Sequence, residues 1–511
     1  MTDELLARGV FDVWLHRFSL NHKITTIKIM REETGLGLAD TKRLVESAPC
    51  RLIAAVDGAR ALRVQQRLVD AEAEVELVCV GERRVCIDPA NPARGDQDLV
   101  RLVRTGSLVV QEVGHLGQAG RTEQQQCASE EQATAEFQSR LDRRREMGWL
   151  VLDDEREALA AVSAREPGLE RALEDDPDDE STLHVYADWL QERGDPRGEL
   201  IALQLQPDPA PALQQALLDR HRGHLLGELG RMDLDLRWKH GFVRSVRVRA
   251  ATAAPLLGRP AGMSELLQWL EALPAAMLLR RITVVHGVTS FVWQLARTGL
   301  PTSVRELVLG PFDDDEPGEL LGDLRRLFPV VSRLEHLAIA GSWLTLGRPV
   351  LPGLRSFACR VRPMTENLLE QIRDAQWPAL QRLALWLGEL EPGYEEDGDD
   401  EATIAKDQAT VEQRCLGPLV AGELALPELC HLQLVGSAAT DALVHRLLRG
   451  GLAPRLQTLD LSDGSLTDAG AAALAAGRER LARLQRLELR GTSLTTAGRA
   501  ALEAFGPVLV M

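Results

Sequence analysis

No C-x-x-C pair occurs among the seven cysteines, Cys50, Cys79, Cys86, Cys127, Cys359, Cys415 and Cys430. Scattered in this way they fit reduced thiols better than a disulfide framework or a zinc site, and no metal is expected. No apolar run approaches the roughly 20 residues of a membrane span. The acidic opening MTDELLARGVFD lacks the apolar core of a signal peptide. A soluble cytoplasmic protein without a membrane partner is the expectation. Excess positive charge is missing too. The formal net charge is −17, which speaks against coating nucleic acid or anionic lipid by electrostatics alone and leaves room only for a local basic face. Nor is there a phosphate-binding loop: Gly117-Gln-Ala-Gly120 has neither the lysine nor the strand-to-helix setting. What remains is ordinary globular composition, 45% hydrophobic and 26% charged over 511 residues. Such a length exceeds one core and predicts roughly three or four domains.

Phe11 to Leu15 alternates as a strand, and Lys23 to Met30 starts a helix that runs towards Thr34-Gly35-Leu36-Gly37-Leu38. Ala39 to Glu46 then places Leu38, Thr41, Leu44 and Val45 on one helical face. A helix over Gly58 to Ala71 and a strand over Glu74 to Val78 complete a small α+β domain, 10–80. The run FDVWLHRFSLNHKITTIKIMREETGLGLADTKRLVESAP, followed by AEAEVELV, resembles the C-terminal globular domain of the bacterial ribosomal stalk protein. The resemblance implies a tight helix–helix turn at the glycines and a basic helical face that docks a protein, here Lys28, Arg31 and Lys42. Ala39 stands where that family usually has another lysine, and the family's dimerising N-terminal domain and hinge are absent.

Beyond a linker at Asp88-Pro-Ala-Asn-Pro92, a second small α+β domain is expected over 96–153. Leu99 to Arg104 and Ser107 to Val113 read as strands about a Thr105-Gly106 turn, with Thr122 to Cys127 as a third. Ser129 is a good N-cap for a helix from Glu130 to Met147 that stops at Gly148. With Gly114, Gly117, Gly120, Ala133, Phe137 and Trp149 in place, VVQEVGHLGQAGRTEQQQCASEEQATAEFQSRLDRRREMGW resembles a diverged WGR domain. That family implies engagement of DNA ends through a tryptophan and an arginine. Here the triplet is Val113, Gly114 and His115. Valine cannot stack on a base, and neutral histidine cannot fork a phosphate. Arg140, Arg143, Arg144 and Arg145 read as a solvated basic face. A structural or protein-contact role is expected, with nucleic-acid sensing as the alternative.

A helical connecting domain is expected over 155–242: Glu155 to Ala164, Gly168 to Glu174, and a helix from Leu183 to Arg193 behind an acidic cap. DPDDESTLHVYADWLQERGDPRGELIALQLQ, with Arg237-Trp238-Lys239-His240-Gly241-Phe242-Val243 later, resembles a bacterial repeat-companion domain, one that commonly precedes leucine-rich repeats. Tyr186, Asp188, Trp189, Asp195, Arg197 and Glu199 suggest a site at first sight. Aromatic packing between helices and Asp–Arg pairing across a turn explain them better. His221 and His224 have metal-compatible spacing but no third ligand in view.

From residue 243 onward the phrase L-x-x-L-x-L recurs, with its leucines pointing inward from short parallel strands. The clearest copies begin at Leu429, Leu456 and Leu484; degenerate ones begin at Val243, Leu279, Val304, Leu334, Leu354 and Leu380. This resembles the helix-rich, ribonuclease-inhibitor class of leucine-rich repeat and predicts an α/β solenoid over 243–511. An acidic insertion near 389–410 interrupts it. The overall expectation is therefore an α/β multidomain chain. Residues predicted to face outward on the concave sheet include Arg281, Val285, Val308, His336, Arg360, Arg382, Trp386, His431, Arg486 and Arg490. Trp386 suits an interface anchor, or else packs beneath the acidic insertion. No nucleophile, base and oxyanion donor come together, and no cofactor site is recognisable. A non-enzymatic adaptor for a protein partner is expected, its client by analogy a protease, toxin or defence effector. A nucleic-acid sensor or a translation-associated factor is the alternative.

Overall fold

The computed structural model describes residues 9–19, 22–88, 99–116, 120–153, 155–207, 210–249, 263–312, 319–388, 401–503, 505 and 509–510. Two compact units divide the chain. The first comprises 1–232, 239–242 and 252–277; the second comprises 233–238, 243–251 and 278–511.

The first unit begins with β1 (Gly9–Arg17), α1 (Lys23–Thr34), α2 (Leu38–Glu46), β2 (Cys50–Asp57), α3 (Gly58–Asp70) and β3 (Glu74–Ile87). The turn between α1 and α2 needs Gly35, whose φ of 68° is left-handed. Leu38 does not join the buried face of α2: it is 61% exposed, while Thr41 and Val45 are buried. It is the first residue of that helix and belongs to the turn, so its side chain points away from the core. β4 (Leu99–Thr105), β5 (Leu108–Gly114) and β6 (Arg121–Gln126) follow, then α4 (Glu130–Glu146) and β7 (Leu150–Leu152).

One seven-stranded sheet contains all of these strands, in the order β2-β1-β3-β4-β5-β6 with β7 also on β3. The strand expected at 74–78 runs on to Ile87, pairing β1 through Glu82 and β4 from Gly81. Two separate cores lie along it. One gathers Phe11, Leu15, Met30, Val45 and Leu68; the other gathers Val100, Val109, Ala133, Phe137 and Leu141. Ser129 caps α4 by accepting from the Gln132 N–H at 3.2 Å.

The helices α5 (Glu155–Val162), α6 (Pro167–Asp175), α7 (Glu180–Gln191), α8 (Pro196–Gln204), α9 (Pro211–Arg220), α10 (Arg222–Leu226) and α11 (Met263–Ala272) complete the first unit. Three of them start at an acidic cap, Glu166, Asp179 and Asp195, and two of those three place proline just inside.

The second unit is built on a twelve-stranded sheet, β8 (Leu234–Lys239) through β19 (Leu509–Val510). In the repeats, β9 (Phe242–Val248), β10 (Arg281–Val284), β11 (Glu306–Leu309), β13 (His336–Thr345), β14 (Ser356–Arg362), β15 (Arg382–Trp386), β16 (His431–Val435), β17 (Thr458–Asp460) and β18 (Arg486–Glu488) stack in parallel. From β10 onward each begins two residues after the start of its predicted leucine phrase. Ile282, Leu307, Leu337, Phe357, Leu383, Leu432, Leu459 and Leu487 form one buried ladder. This is a leucine-rich-repeat-like array. The hairpin strand β8, the inserted β12 (Leu320–Asp323), which pairs with the extended end of β13, and the terminal β19 carry no leucine phrase and were not foreseen. α12 (Val288–Thr298), α13 (Glu366–Arg373), α14 (Glu401–Ala421), α15 (Thr440–Arg449), α16 (Asp468–Ala476) and α17 (Thr496–Leu502) connect the strands. The acidic run 389–400 lies outside the described residues; the part of the expected insertion from Glu401 onward is helix α14.

Candidate functional site: the concave rows of the solenoid

In-register parallel strands place equivalent side chains in rows, about 4.8 Å from strand to strand. The first outward row runs unbroken through Ser245, Arg281, Glu306, His336, Ser356, Arg382, His431, Thr458 and Arg486. Five of the predicted concave residues, Arg281, His336, Arg382, His431 and Arg486, therefore belong to one continuous line. Its character changes along its length. At the upstream end Arg281 pairs with Glu306 at 3.1 Å and both are half-buried. At the downstream end Arg382 and Arg486 are exposed.

His431 stands between those arginines, its Nδ1 2.9 Å from the Thr458 hydroxyl. Burial, then the charge of Arg382, hold its pKa below the usual histidine value. It therefore enters the row at neutral pH as an uncharged hydrogen-bonding ring. In the next row Gln433 donates to Asp460 at 2.9 Å. Arg486 and Arg490 both reach Glu488, at 2.6 and 3.7 Å, while remaining exposed.

The upstream half of the concave face is closed. Val285 and Val308, predicted to offer contact surface, are only 5% and 3% exposed. They do sit at outward positions, Val308 in register between Thr283 and Ala338 in a row of short side chains. Ala340 is buried too. Trp386 is half-buried and meets the edge of Phe312 at 5.2 Å between centroids, the planes at 86°. Arg360 fixes that phenylalanine. It donates to the backbone carbonyls of Pro311 (3.1 Å) and Phe312 (2.5 Å), and its guanidinium lies 5.4 Å from the ring centre. Trp386 and Arg360 thus both contact Phe312. Phe312 was not legible because it follows a strand instead of lying in one; the Gly310-Pro-Phe turn was the only signal.

In the first unit Lys28, Arg31 and Lys42 are all exposed. Two apolar residues, Ile24 at 84% and Leu38 at 61% exposure, accompany them on the same helices. The WGR-like triplet differs. Val113 is half-buried against the second core, Gly114 is buried, and the carbonyl of His115 accepts from Arg101 at 3.4 Å. Arg101 is itself buried beside Glu112, at 3.3 Å. The next residue, Leu116, has its carbonyl where a Cβ on Gly223 would stand, 1.9 Å away. The triplet is packed into the unit. Residues 117–119 of the glycine loop lie outside the described residues.

The cluster around Asp195 resolves into a structural network. Asp195 accepts from the backbone N–H of Arg197 at 3.0 Å, capping α8, and pairs with that guanidinium at 2.8 Å. Arg197 also reaches the Ala164 carbonyl and the Tyr186 hydroxyl. Tyr186 donates to Glu170 at 2.9 Å and stacks on Trp189 and Phe242. Burial opposes ionisation of Asp195, yet His224 and Arg197 together hold its pKa well below the carboxylate range. His224 faces that carboxylate at 3.5 Å, whereas His221 stands half-buried at the junction of α9 and α10. Among the described residues no three candidate ligands cluster as a metal site would need, and no helix is long and apolar enough to cross a membrane.

Residues 11–78 match the family model of the ribosomal protein L7/L12 C-terminal domain. Over 67 residues the chain is 46% identical to the large ribosomal subunit protein bL12 of Psychrobacter arcticus, covering 13% of this chain and 54% of that protein. The bL12 proteins of Halothermothrix orenii and Aquifex aeolicus are each 45% identical over 67 residues. The chain spans about half the length of the curated relatives it matches. Among solved structures, a Bacteroides fragilis protein aligns at a TM-score of 0.41 and 15% identity, over 84% of this chain and 95% of that one. An internalin from Listeria monocytogenes aligns at 0.22 and 14%, over 47% and 68%. Neither bears on the architecture above, which rests on the strand register itself.

Proposed function

We propose that the protein is a non-enzymatic adaptor that holds a protein partner against the downstream concave rows, β15 to β18. The observation that carries this reading is the contrast along a single row. Its upstream end carries half-buried Arg281 and Glu306 beside buried Val285 and Val308, and its downstream end brings exposed Arg382 and Arg486 into register with His431 and Thr458, Arg486 also meeting Glu488 within the sheet. Regularly spaced donors on a rigid sheet suit an acidic or carbonyl-rich protein surface. The test is affinity capture with the wild type against Arg382→Glu/Arg486→Glu. A specific partner recovered by the wild type should be lost from the variant; undiminished recovery sinks the proposal. Trp386→Ala should act differently. It removes the support of Phe312, so its effect on capture should be accompanied by a fall in stability.

A second reading attaches to the stalk-like region, favoured by its 46% identity to a ribosomal protein and by the open face of Lys28, Arg31 and Lys42. There the domain docks a translation component. Ribosomes or elongation factors should co-purify with the wild type and not with Lys28→Glu/Arg31→Glu. A nucleic-acid role for the WGR-like segment is disfavoured by the packed triplet, and a salt-dependent gel shift with nicked DNA would revive it.

A further inference from the structure

Among the described residues, the strand order of the first unit's sheet ends at β2 on one side and at β6 on the other. An open edge offers unpaired main-chain groups to any further strand, and proteins blunt most edges with bulges, proline or charge. β2 is blunted in this way. Its register against β1 slips between Phe11 and Val13 and again between Val13 and Trp14, and Ala55 within it has a left-handed φ of 52°. β6 is different. Arg121 to Gln126 pair with β5 in unbroken register, no proline interrupts them, and all six residues are exposed.

The ladder fixes which groups face outward. Cys127 donates to the Ser107 carbonyl at 2.8 Å, next to the pair Leu108–Gln126. Bonded pairs alternate along an antiparallel ladder. Arg121, Glu123 and Gln125 are therefore the residues bonded to β5, and Thr122, Gln124 and Gln126 turn their N–H and C=O groups to the open edge. Two antiparallel copies of β6 match these groups when Gln124 stands opposite its own counterpart. That register also sets Thr122 against Gln126 and Glu123 against Gln125, so no like charges meet. Sliding the copies in either direction shortens the overlap, and one slide brings Glu123 onto Glu123, which is destabilising.

Charge and space agree with this pairing. The charges beside the edge occur in pairs, Arg121 with Glu123 at 3.6 Å and Arg140 with Glu136 at 2.7 Å, on a chain whose net charge of −17 opposes self-association elsewhere. Arg140 of α4 also donates to Gln125. Glu123 of a second copy, opposite Gln125, comes next to that guanidinium. α4 packs over β4 and β5, in the core of Val100, Val109 and Phe137. Two such helices on one face of a joined sheet stand at least three strand spacings apart, about 14 Å, which exceeds a helix diameter.

We propose that β6 is a self-pairing edge, at which two copies of the chain join antiparallel about a two-fold axis beside Gln124. The pairing is independent of partner capture on the concave face. One strand pair buries less than the roughly 1,200 Å² of a stable interface, so the dimer is weak and reversible, dissociating at about 10–100 μM.

Sedimentation velocity of the full chain from about 1 to 500 μM covers that range. The wild type should pass from monomer to dimer. Gln124→Glu and Gln124→Lys each set like charges against one another at the axis, on an exposed residue. Each should therefore melt as the wild type does and stay monomeric where the wild type is half dimeric. An equimolar mixture of the two should dimerise again, because glutamate then faces lysine. Three results overturn the proposal: a wild type that stays monomeric to the top of the range, the outcome if the edge is merely solvated; a dimer that neither substitution weakens, the outcome if another surface joins the copies; or folded charged variants that stay monomeric when mixed.

Discussion

Asp195 and Glu412 are both buried carboxylates, and they respond to pH in opposite directions. Asp195 has a lowered pKa in the folded chain. It therefore contributes stability that is fully present above the unfolded value of about 4 and is lost as pH falls towards the folded one. Asp195→Asn leaves Arg197, 2% exposed, without its counter-charge. Breaking such a buried pair costs about 3–5 kcal/mol. Thermal melts should show this loss at pH 7 and a flatter pH dependence below pH 4 than in the wild type. An equally steep acid response in the variant would show that Asp195 is not the group responsible. Glu412 shows the reverse sign. Burial raises its pKa, against hydrogen bonds from Ser437 and Gln408. Its contribution is present below the unfolded value of about 4.3 and is lost as pH rises through the folded one. Its oxygens accept from the Ser437 hydroxyl at 2.5 Å and from the Ala438 and Ala439 N–H groups at 3.3 and 3.2 Å. Glu412→Gln should therefore be neutral or stabilising at pH 7, whereas Glu412→Ala, which strands those donors, should cost about 1–3 kcal/mol. Equal losses for the two variants, measured by urea unfolding, would refute this account.

The helices of the last repeats are joined by a repeating carboxylate contact. Glu412 of α14 reaches the start of α15. Asp441 of α15 accepts from the N–H (3.0 Å) and hydroxyl (2.5 Å) of Thr467, the cap of α16, and Asp468 of α16 does the same for Thr495, the cap of α17. The glycine three residues after each threonine leaves space for that carboxylate. A Cβ on Gly470 would lie 2.1 Å from Asp441 Oδ1, and one on Gly498 would lie 2.2 Å from Asp468 Oδ1. Gly470→Ala should therefore destabilise by about 1–3 kcal/mol through overpacking. In combination with Asp441→Ala it should be markedly less than additive, because the clash partner is gone. Additive losses in that double-mutant cycle would place the strain elsewhere. The leucine phrases were legible because an inward ladder needs the same residue type at the same offset in every strand. That is why even Phe357 and Cys359 could be placed. The Thr-x-x-Gly contact was equally periodic but escaped notice, since its meaning lies between repeats. What the sequence could not reveal is which outward residues stay exposed. Val285 and Val308 carry no mark that distinguishes an open row from a closed one, and Arg360 looks like a surface arginine until Phe312 is beneath it.

Across the whole molecule, two open basic features stand out on a chain whose formal net charge is −17. Lys28, Arg31 and Lys42 lie in one compact unit, and Arg382 and Arg486 lie in the other. Against an acidic background, local basic surfaces steer acidic partners and repel unlike ones, over distances limited to about 8 Å at physiological ionic strength. An adaptor requires more than two such faces: both must be occupied together. Size-exclusion chromatography of the wild type with a captured concave-face partner and a captured stalk-face partner should therefore show a single ternary complex. Arg382→Glu/Arg486→Glu should weaken the first interaction about tenfold or more while sparing the second, and Lys28→Glu/Arg31→Glu should do the opposite. Raising the salt concentration should weaken both. If one pair of substitutions abolished both interactions while melting curves stayed unchanged, a single composite surface would replace the adaptor. If the two partners never co-eluted, the chain would be a competitor that holds one at a time.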